Sequence, residues 1–322
     1  MDGDITSASS PDAWQVLSDA RTTNAMILGA LTLVAYDHLL TLSKEIELMW
    51  PSRTSFPLTN MIYLWNRYFT LISLSYDASV MLSPYKSNAV CIKFFQGEAV
   101  TSTIILATVD LILMLRVWLL YEKKRLLLYL LVPMIGLEIL TMAVVSHYTI
   151  ASVPEYWPVN SITGCFPMGN VPRFFAFYSV PVLVVSVTMF VLTVYKCGTS
   201  LLAHGRVHMP IHALFLRDGV FWFIIIFVTF IPEIAIWARG RQSLAELLIA
   251  PGLAISSIVG SRVLLNIKSL GHSYPRLPES TTARNAVEFD TIDYALSAPW
   301  RTTLGHPTMS AITEVTSEER GP

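Results

Sequence analysis

The chain has 322 residues, of which 53% are hydrophobic and only 14% charged. A water-soluble domain carries roughly 25% charged residues, so a soluble globular protein is a poor fit. The formal net charge is -1, with no concentrated basic face of the kind a nucleic-acid partner needs, and the length suits one compact bundle better than two domains.

Residues 1–23 are polar and carry Asp2, Asp4, Asp12 and Asp19. They lack the short apolar core of a cleavable signal peptide and read as a short outer tail. A helix that crosses the hydrocarbon of a bilayer needs about 20 mostly apolar residues. Seven stretches qualify: Asn24 to Ser43, Thr59 to Leu82, Phe95 to Tyr121, Leu126 to Tyr148, Phe174 to Lys196, Asp218 to Ala238, and Leu244 to Lys268. The expected fold class is therefore all-α, a seven-transmembrane helix bundle over residues 24–268. Pro133, Pro181, Pro232 and Pro251 are expected to break spans four to seven. Such kinked helices are found both in switches and in passive bundles. Residues 269–322 are rich in Ser, Thr and Pro without helical periodicity and read as a disordered cytosolic tail.

Orientation follows from Lys and Arg beside the spans, which favour the cytosolic side. One side collects Lys44, Arg53, Lys123, Lys124, Arg125, Lys196, Arg206, Arg217, Lys268, Arg276 and Arg284. The other has Arg21, Lys86, Lys93, Arg173, Arg239 and Arg241. The first group is the larger, which sets the N-terminus outside and the C-terminus in the cytosol of a plasma membrane or endomembrane.

Charges within spans are costly and mark paired or cavity-facing positions. Asp37, Arg67, Arg116 and Arg262 fall within roughly two to three turns of the cytosolic helix ends. Asp37 and Arg67 come out at similar depth on consecutive helices and are expected to pair, with Tyr36 and Asn66 completing a polar layer. The plainer reading is that these groups snorkel to the headgroups or lock the bundle. A deeper set is acidic: Asp110 and Glu138 near the midplane, Glu233 past the middle of span six beside Pro232, and Asp77 nearer the outside. If Asp110, Glu138 and Glu233 converge, they form a pocket for a cation, an amine or a proton relay. Otherwise they are protonated and hydrogen-bonded to neighbours.

Cys91 precedes span three on the outer side and Cys165 lies in the outer loop between spans four and five. In an oxidising compartment they either form a disulfide, pinning that loop to the third helix, or remain free thiols. Cys197 ends span five beside Lys196, as a palmitoylation candidate or an inert buried thiol. His204, His208 and His212 recur every fourth residue, but Pro210 interrupts them and no carboxylate lies among them, so a zinc site is not expected. There is no H-E-x-x-H, phosphate-binding loop or G-x-S-x-G, and no catalysis, cofactor or resident metal is expected.

Some segments carry a family likeness. Tyr36-Asp37-His38-Leu39-Leu40-Thr41-Leu42, then Glu45, Trp50 and Leu64-Trp65-Asn66-Arg67-Tyr68, are supported by Leu115-Arg116-Val117-Trp118-Leu119-Leu120-Tyr121 and by Gly260-Ser261-Arg262-Val263-Leu264-Leu265-Asn266. Together they resemble the signature of a fungal (basidiomycete) family of seven-helix membrane proteins, domain-of-unknown-function family 6533. The resemblance implies a fold and a membrane address, and no established reaction or ligand. Where the family usually has Gly-Arg after the third-span Tyr, this chain has Glu122-Lys123. The expected function is receptor-like or sensor-like, in contact with membrane lipid and a cytosolic signalling partner. A transporter or cation/proton pathway through the intramembrane carboxylates is the alternative, and a lipid-modifying enzyme the third reading.

Overall fold

The computed structural model of the chain describes residues 11–50, 58–83, 87–121, 124–152, 155–157, 164–168, 172–204, 210–239 and 242–273. Seven long helices account for most of them: α1 (Pro11–Leu48), α2 (Leu58–Leu82), α3 (Asn88–Leu120), α4 (Arg125–Ser152), α5 (Val180–His204), α6 (Pro210–Arg239) and α7 (Ile249–Ser273). In a hydrocarbon solvent a helix satisfies every interior backbone group within the segment. The outward-facing hydroxyls obey the same constraint. Thr32 donates to the Leu28 carbonyl at 2.7 Å, Thr108 to that of Ile104 at 2.7 Å and Thr141 to that of Leu137 at 2.8 Å. Each bond hides a polar atom against its own helix.

Five segments are long and apolar enough to cross a membrane: Trp14–Leu48, Asn88–Leu120, Arg125–Ser152, Arg173–Thr199 and Ile249–Ser269. The protein is all-α in architecture and membrane-embedded. Each helix packs on the next in sequence, α1 packs on α7, and the ring closes. α3 also touches α5 and α7, and α2 touches α7, so α3 and α7 form the middle of the bundle. α7 is the most enclosed of the five apolar segments. Its Gly260 makes that possible: a Cβ there would lie 3.3 Å from Ile112 Cδ1 and 3.4 Å from Asn66 Nδ2, so α7 crosses α2 and α3 where a side chain would push them apart. The starts of α1, α3, α5 and α7 gather at one end of the bundle, here the N-end, and their finishes at the other, the C-end.

Several boundaries differ from the sequence reading. α1 begins at Pro11, so helix takes in most of the expected polar tail. Proline is favoured in a first helical turn, where its missing N–H costs nothing. The same rule relocates two of the expected breaks. Pro181 and Pro251 stand in the first turns of α5 and α7, while Pro133 and Pro232 lie inside α4 and α6. Residues 269–273 of the expected tail continue α7, and the rest of it, from residue 274, lies outside the described residues.

The connection between α4 and α5 contains a hairpin that the periodicity did not announce. β1 (Glu155–Trp157) pairs antiparallel with β2 (Phe166–Met168), with Trp157 opposite Phe166. Cys165, just before β2, is disulfide-bonded to Cys91 in the first turn of α3, with Cα atoms 5.4 Å apart. Gly164 donates its N–H to the Ser83 carbonyl at 3.2 Å beyond the end of α2. It adopts φ +99, and a Cβ there would sit 2.6 Å from the Met81 carbonyl oxygen, a conformation and a gap that only glycine fits. β1 also touches α3, and β2 touches the turn Gln242–Leu244 before α7. The hairpin therefore lies across the N-end of the bundle.

Candidate functional site

At the C-end, α1, α2 and α7 share a buried polar network. Asp37, Thr41 and Glu45 recur every fourth residue of α1 and so line one face. Glu45 is the hub and is fully buried. Its carboxylate takes Arg67 Nε at 2.9 Å, the Tyr68 hydroxyl at 3.0 Å, and the Tyr63 hydroxyl and Trp50 indole N–H at 3.3 Å each. Arg67 also donates to Thr41 Oγ1 at 2.6 Å, to the His38 carbonyl at 2.8 Å and to His38 Nδ1 at 2.9 Å. Its guanidinium lies over the Tyr63 ring, 5.7 Å from the centroid. With its donors distributed in this way, a buried charge is tolerable.

Asp37 has a different principal partner. Arg262 on α7 reaches Asp37 Oδ1 at 2.7 Å through NH2 and 2.8 Å through Nε, whereas Arg67 stands 3.8 Å from Asp37 Oδ2. The sequence reading paired Asp37 with Arg67 directly; the structure gives each a closer partner. Tyr36 does not complete this layer but faces outward. Asn66 instead bonds α7, donating to the Ser257 carbonyl at 3.0 Å and to Ser261 Oγ at 3.2 Å. Asn60 completes the tie, donating to the Met49 carbonyl at 2.8 Å and accepting from Lys268 of α7.

The remaining signature positions are dispersed. Leu40 faces outward and Leu42 is half-buried on α1. Arg116 is buried on α3 near Cys197 of α5. The Tyr121 hydroxyl bonds the Leu192 carbonyl of α5 at 3.0 Å, with Lys196 Nζ over its ring. Cys197 is a buried free thiol. The spacing of His204, His208 and His212 falls on side chains outside those described.

The three candidate pocket carboxylates divide between two places. Asp110 of α3 and Glu138 of α4 face each other as a side-chain hydrogen-bonded pair, and both are buried. Glu233 belongs to a separate group at the N-end. It lies beside Ser179, just before α5, and within electrostatic reach of Glu246 in the turn before α7. Glu246 in turn neighbours Asp77 of α2, and Glu98 of α3 neighbours both. The Tyr178 hydroxyl lies 3.4 Å from Thr103 Oγ1 at the same level, and Ser243 donates to Asp19, tying α1 to this turn. On α3, Asp110 is twelve residues beyond Glu98, about 18 Å along the axis, so the two acidic groups stand at different depths. Glu98 and Glu246 were absent from the sequence reading. Both fall within three residues of the span starts read from the sequence, Phe95 and Leu244, where an acidic residue is ordinarily a solvated one.

Residues 25–72 match the model of a family described as a family of unknown function (DUF6533). The matched segment holds the α1 and α2 halves of the C-end network, from Asp37 through Tyr68. No curated protein matches the chain.

Proposed function

We propose that this chain, which belongs to that family of unknown function, is a seven-span receptor or sensor with its N-terminus outside and its C-terminus in the cytosol. It signals the state of its outward N-end to a cytosolic partner and performs no catalysis. The observation that carries the reading is the position of α7. Near its start, Gly252 abuts Glu233 of the N-end group, with Glu233 Oε2 3.9 Å from the Cβ position. Ten residues on, about 15 Å along the axis, Arg262 holds Asp37 in the C-end network. One central helix thus makes contacts at both ends, the placement that an element linking two sites would need. The disulfide-pinned hairpin over the N-end and the excess of Lys and Arg toward the C-end support the same orientation.

Two measurements test it. Epitope tags on the two termini, read by antibody access before and after permeabilisation, are expected on opposite sides; tags in the same compartment overturn the topology. The purified protein is expected to form a saturable complex with a cytosolic signalling protein, of which a G-protein α subunit is the first to try. The neighbouring Asp110 and Glu138 favour a second reading, a cation or proton pathway. Proton flux in proteoliposomes that disappears in Glu138→Gln would replace the receptor reading with that one.

A further inference from the structure

We propose that His38 is a proton-operated catch at the C-end of the bundle: its neutral imidazole seats Arg67 against α1, and protonation releases that seat and loosens the contact between α1 and α2. The proposal takes from the receptor reading only that the C-end faces the cytosol, which makes cytosolic acid the signal.

The observation behind it is the direction of one hydrogen bond. Arg67 donates its Nε–H to His38 Nδ1 at 2.9 Å. A guanidinium keeps its protons in a protein and has donors only. The atom that receives its N–H must therefore carry a free lone pair. A neutral imidazole has one such nitrogen, and an imidazolium has none. Nδ1 is thus the bare nitrogen of His38, and the proton sits on Nε2. A second proton at Nδ1 would set two N–H groups and two positive charges against each other, at a distance that suits only a donor and an acceptor.

Two consecutive residues of α2 fix the ring in that orientation. Arg67 bonds the His38 carbonyl at 2.8 Å as well as the ring, and the Tyr68 ring meets the imidazole edge to face, with centroids 5.0 Å apart. His38 is half-buried, so a proton reaches it without the bundle opening. The charges around it all belong to the C-end network. Asp37 and Glu45 stand on its own helix, Arg67 on α2 with the phenols Tyr63 and Tyr68, and Arg262 on α7. The remaining neighbour of α1, the turn Gln242–Leu244, lies at the N-end, where Ser243 bonds Asp19.

Both carboxylates near a charged His38 are already committed. Arg262 holds Asp37 Oδ1 at 2.7 Å, and Glu45 accepts from Tyr63, Tyr68 and Trp50. Neither turns to an imidazolium without giving up a partner. Arg67 has another place to go, because Glu45 Oε2 stands 2.9 Å from the same Nε. Protonation therefore shifts the Nε–H of Arg67 onto Glu45 and drives the imidazolium toward the surface that its ring already reaches. α1 and α2 lose the ring contact, while Glu45 keeps its guanidinium. One proton thus selects between two packings of the same helix pair, as in other histidine switches, and histidine ordinarily titrates between about pH 5 and 8.

The test uses the full chain in lipid nanodiscs and two measurements. Imidazole nitrogen chemical shifts, which separate a bare ring nitrogen from a protonated one, are expected to show Nδ1 bare at about pH 8 and both nitrogens protonated at about pH 5. The His38 signal is identified by its loss in His38→Asn or, should that variant not fold, by its contact with the Tyr68 ring. Spin labels at Glu47→Cys and Met61→Cys, exposed positions near the C-end on α1 and α2, are expected to report a longer or broader distance at the lower pH, reversibly. His38→Asn puts an uncharged acceptor oxygen close to the place of Nδ1 and is expected to hold the high-pH distance throughout. A proton on Nδ1 at the higher pH, a distance that ignores pH, or the same response in His38→Asn overturns the proposal. In sealed vesicles acidified on one side, with orientation read from the terminal tags, the response is expected to acid at the C-terminal face, and a response only to acid at the other face overturns the cytosolic signal. A pH response with both tags on one side would remove the seven-span reading and leave the catch. Tags on opposite sides with no response would remove the catch alone.

Discussion

Glu45 and Arg67 illustrate how side-chain direction decides partners that backbone depth leaves open. Counting residues from the C-end, Asp37 lies 11 before Leu48 and Arg67 lies 9 after Leu58, so depth pairs them. Helical side chains, however, tilt toward their own N-termini. α2 starts at the C-end, so Arg67 reaches back toward that end, while the side chains of α1 and α7 reach the opposite way. Glu45 therefore rises to meet Arg67, and Arg262 rises to meet Asp37. The charged layer was legible in the sequence; its wiring needed the tilt as well as the rise. A double-mutant cycle measures the difference. Arg67→Ala strands Glu45 in the interior and is expected to cost about 3–5 kcal/mol, read from thermal or denaturant unfolding in detergent. Coupling between Glu45 and Arg67 is expected on the order of 1–3 kcal/mol, larger than that between Asp37 and Arg67. Equal couplings would return Asp37 to the role of Arg67's main partner. Arg67→Lys is expected to retain little of the interaction, because a single ammonium cannot reproduce the fork that serves Glu45, Thr41 and His38 together.

At the scale of elements, the N-end depends on a loop that composition left featureless. The two cysteines were legible because both fall on the same side of the bundle. The hairpin that flanks Cys165 was not, since strands of three residues are too short for an alternating pattern to register. The disulfide closes a sequence separation of 74 residues and so restricts a long stretch of the unfolded chain. Replacing Cys91 and Cys165 by Ser, or reducing the bond, is expected to cost about 2–5 kcal/mol, measured as a fall in unfolding midpoint with and without reductant. Gly164→Ala gives a companion result. It forces a side chain onto a positive φ and toward the Met81 carbonyl, and is expected to cost about 1–3 kcal/mol even with the disulfide intact. A Gly164→Ala variant as stable as the parent would mean that the loop does not rest on α2. The helix starts teach the same lesson as the hairpin. Asp12 and Asp19 made the region before Asn24 look like a tail, yet proline at Pro11 is suited to a first turn and helix runs on from there.

For the whole molecule, the strongest argument for the membrane is what the bundle leaves uncovered. α4 turns Leu126, Tyr129, Leu130, Leu137, Leu140, Val144 and Tyr148 outward, a continuous apolar face that packs on no other described element. Its two outward tyrosines are 19 residues apart, about 28 Å along the axis, close to the roughly 30 Å hydrocarbon core of a bilayer. Tyrosines prefer the two boundaries of that core, so Tyr129 and Tyr148 mark its edges on α4, and Leu137 falls near the middle. The helical, membrane-embedded character was legible because a bilayer demands long apolar helices, a constraint met by five of the described segments. The acidic groups were less so, because whether carboxylates on different helices meet depends on helix rotation, which no single segment encodes. Leu137→Arg tests the placement directly. On the surface of a water-soluble bundle, this exchange of an exposed leucine changes stability by about 0.5 kcal/mol or less. At the centre of a bilayer an arginine costs about 2.5–3.5 kcal/mol on insertion scales, and the variant is expected to lose membrane-integrated protein in a carbonate-extraction assay. Leu126→Arg, near the boundary, serves as its partner and is expected to integrate nearly as well as the parent, because a long cationic side chain there reaches the headgroups. Equal integration of both variants would put the bilayer elsewhere on α4.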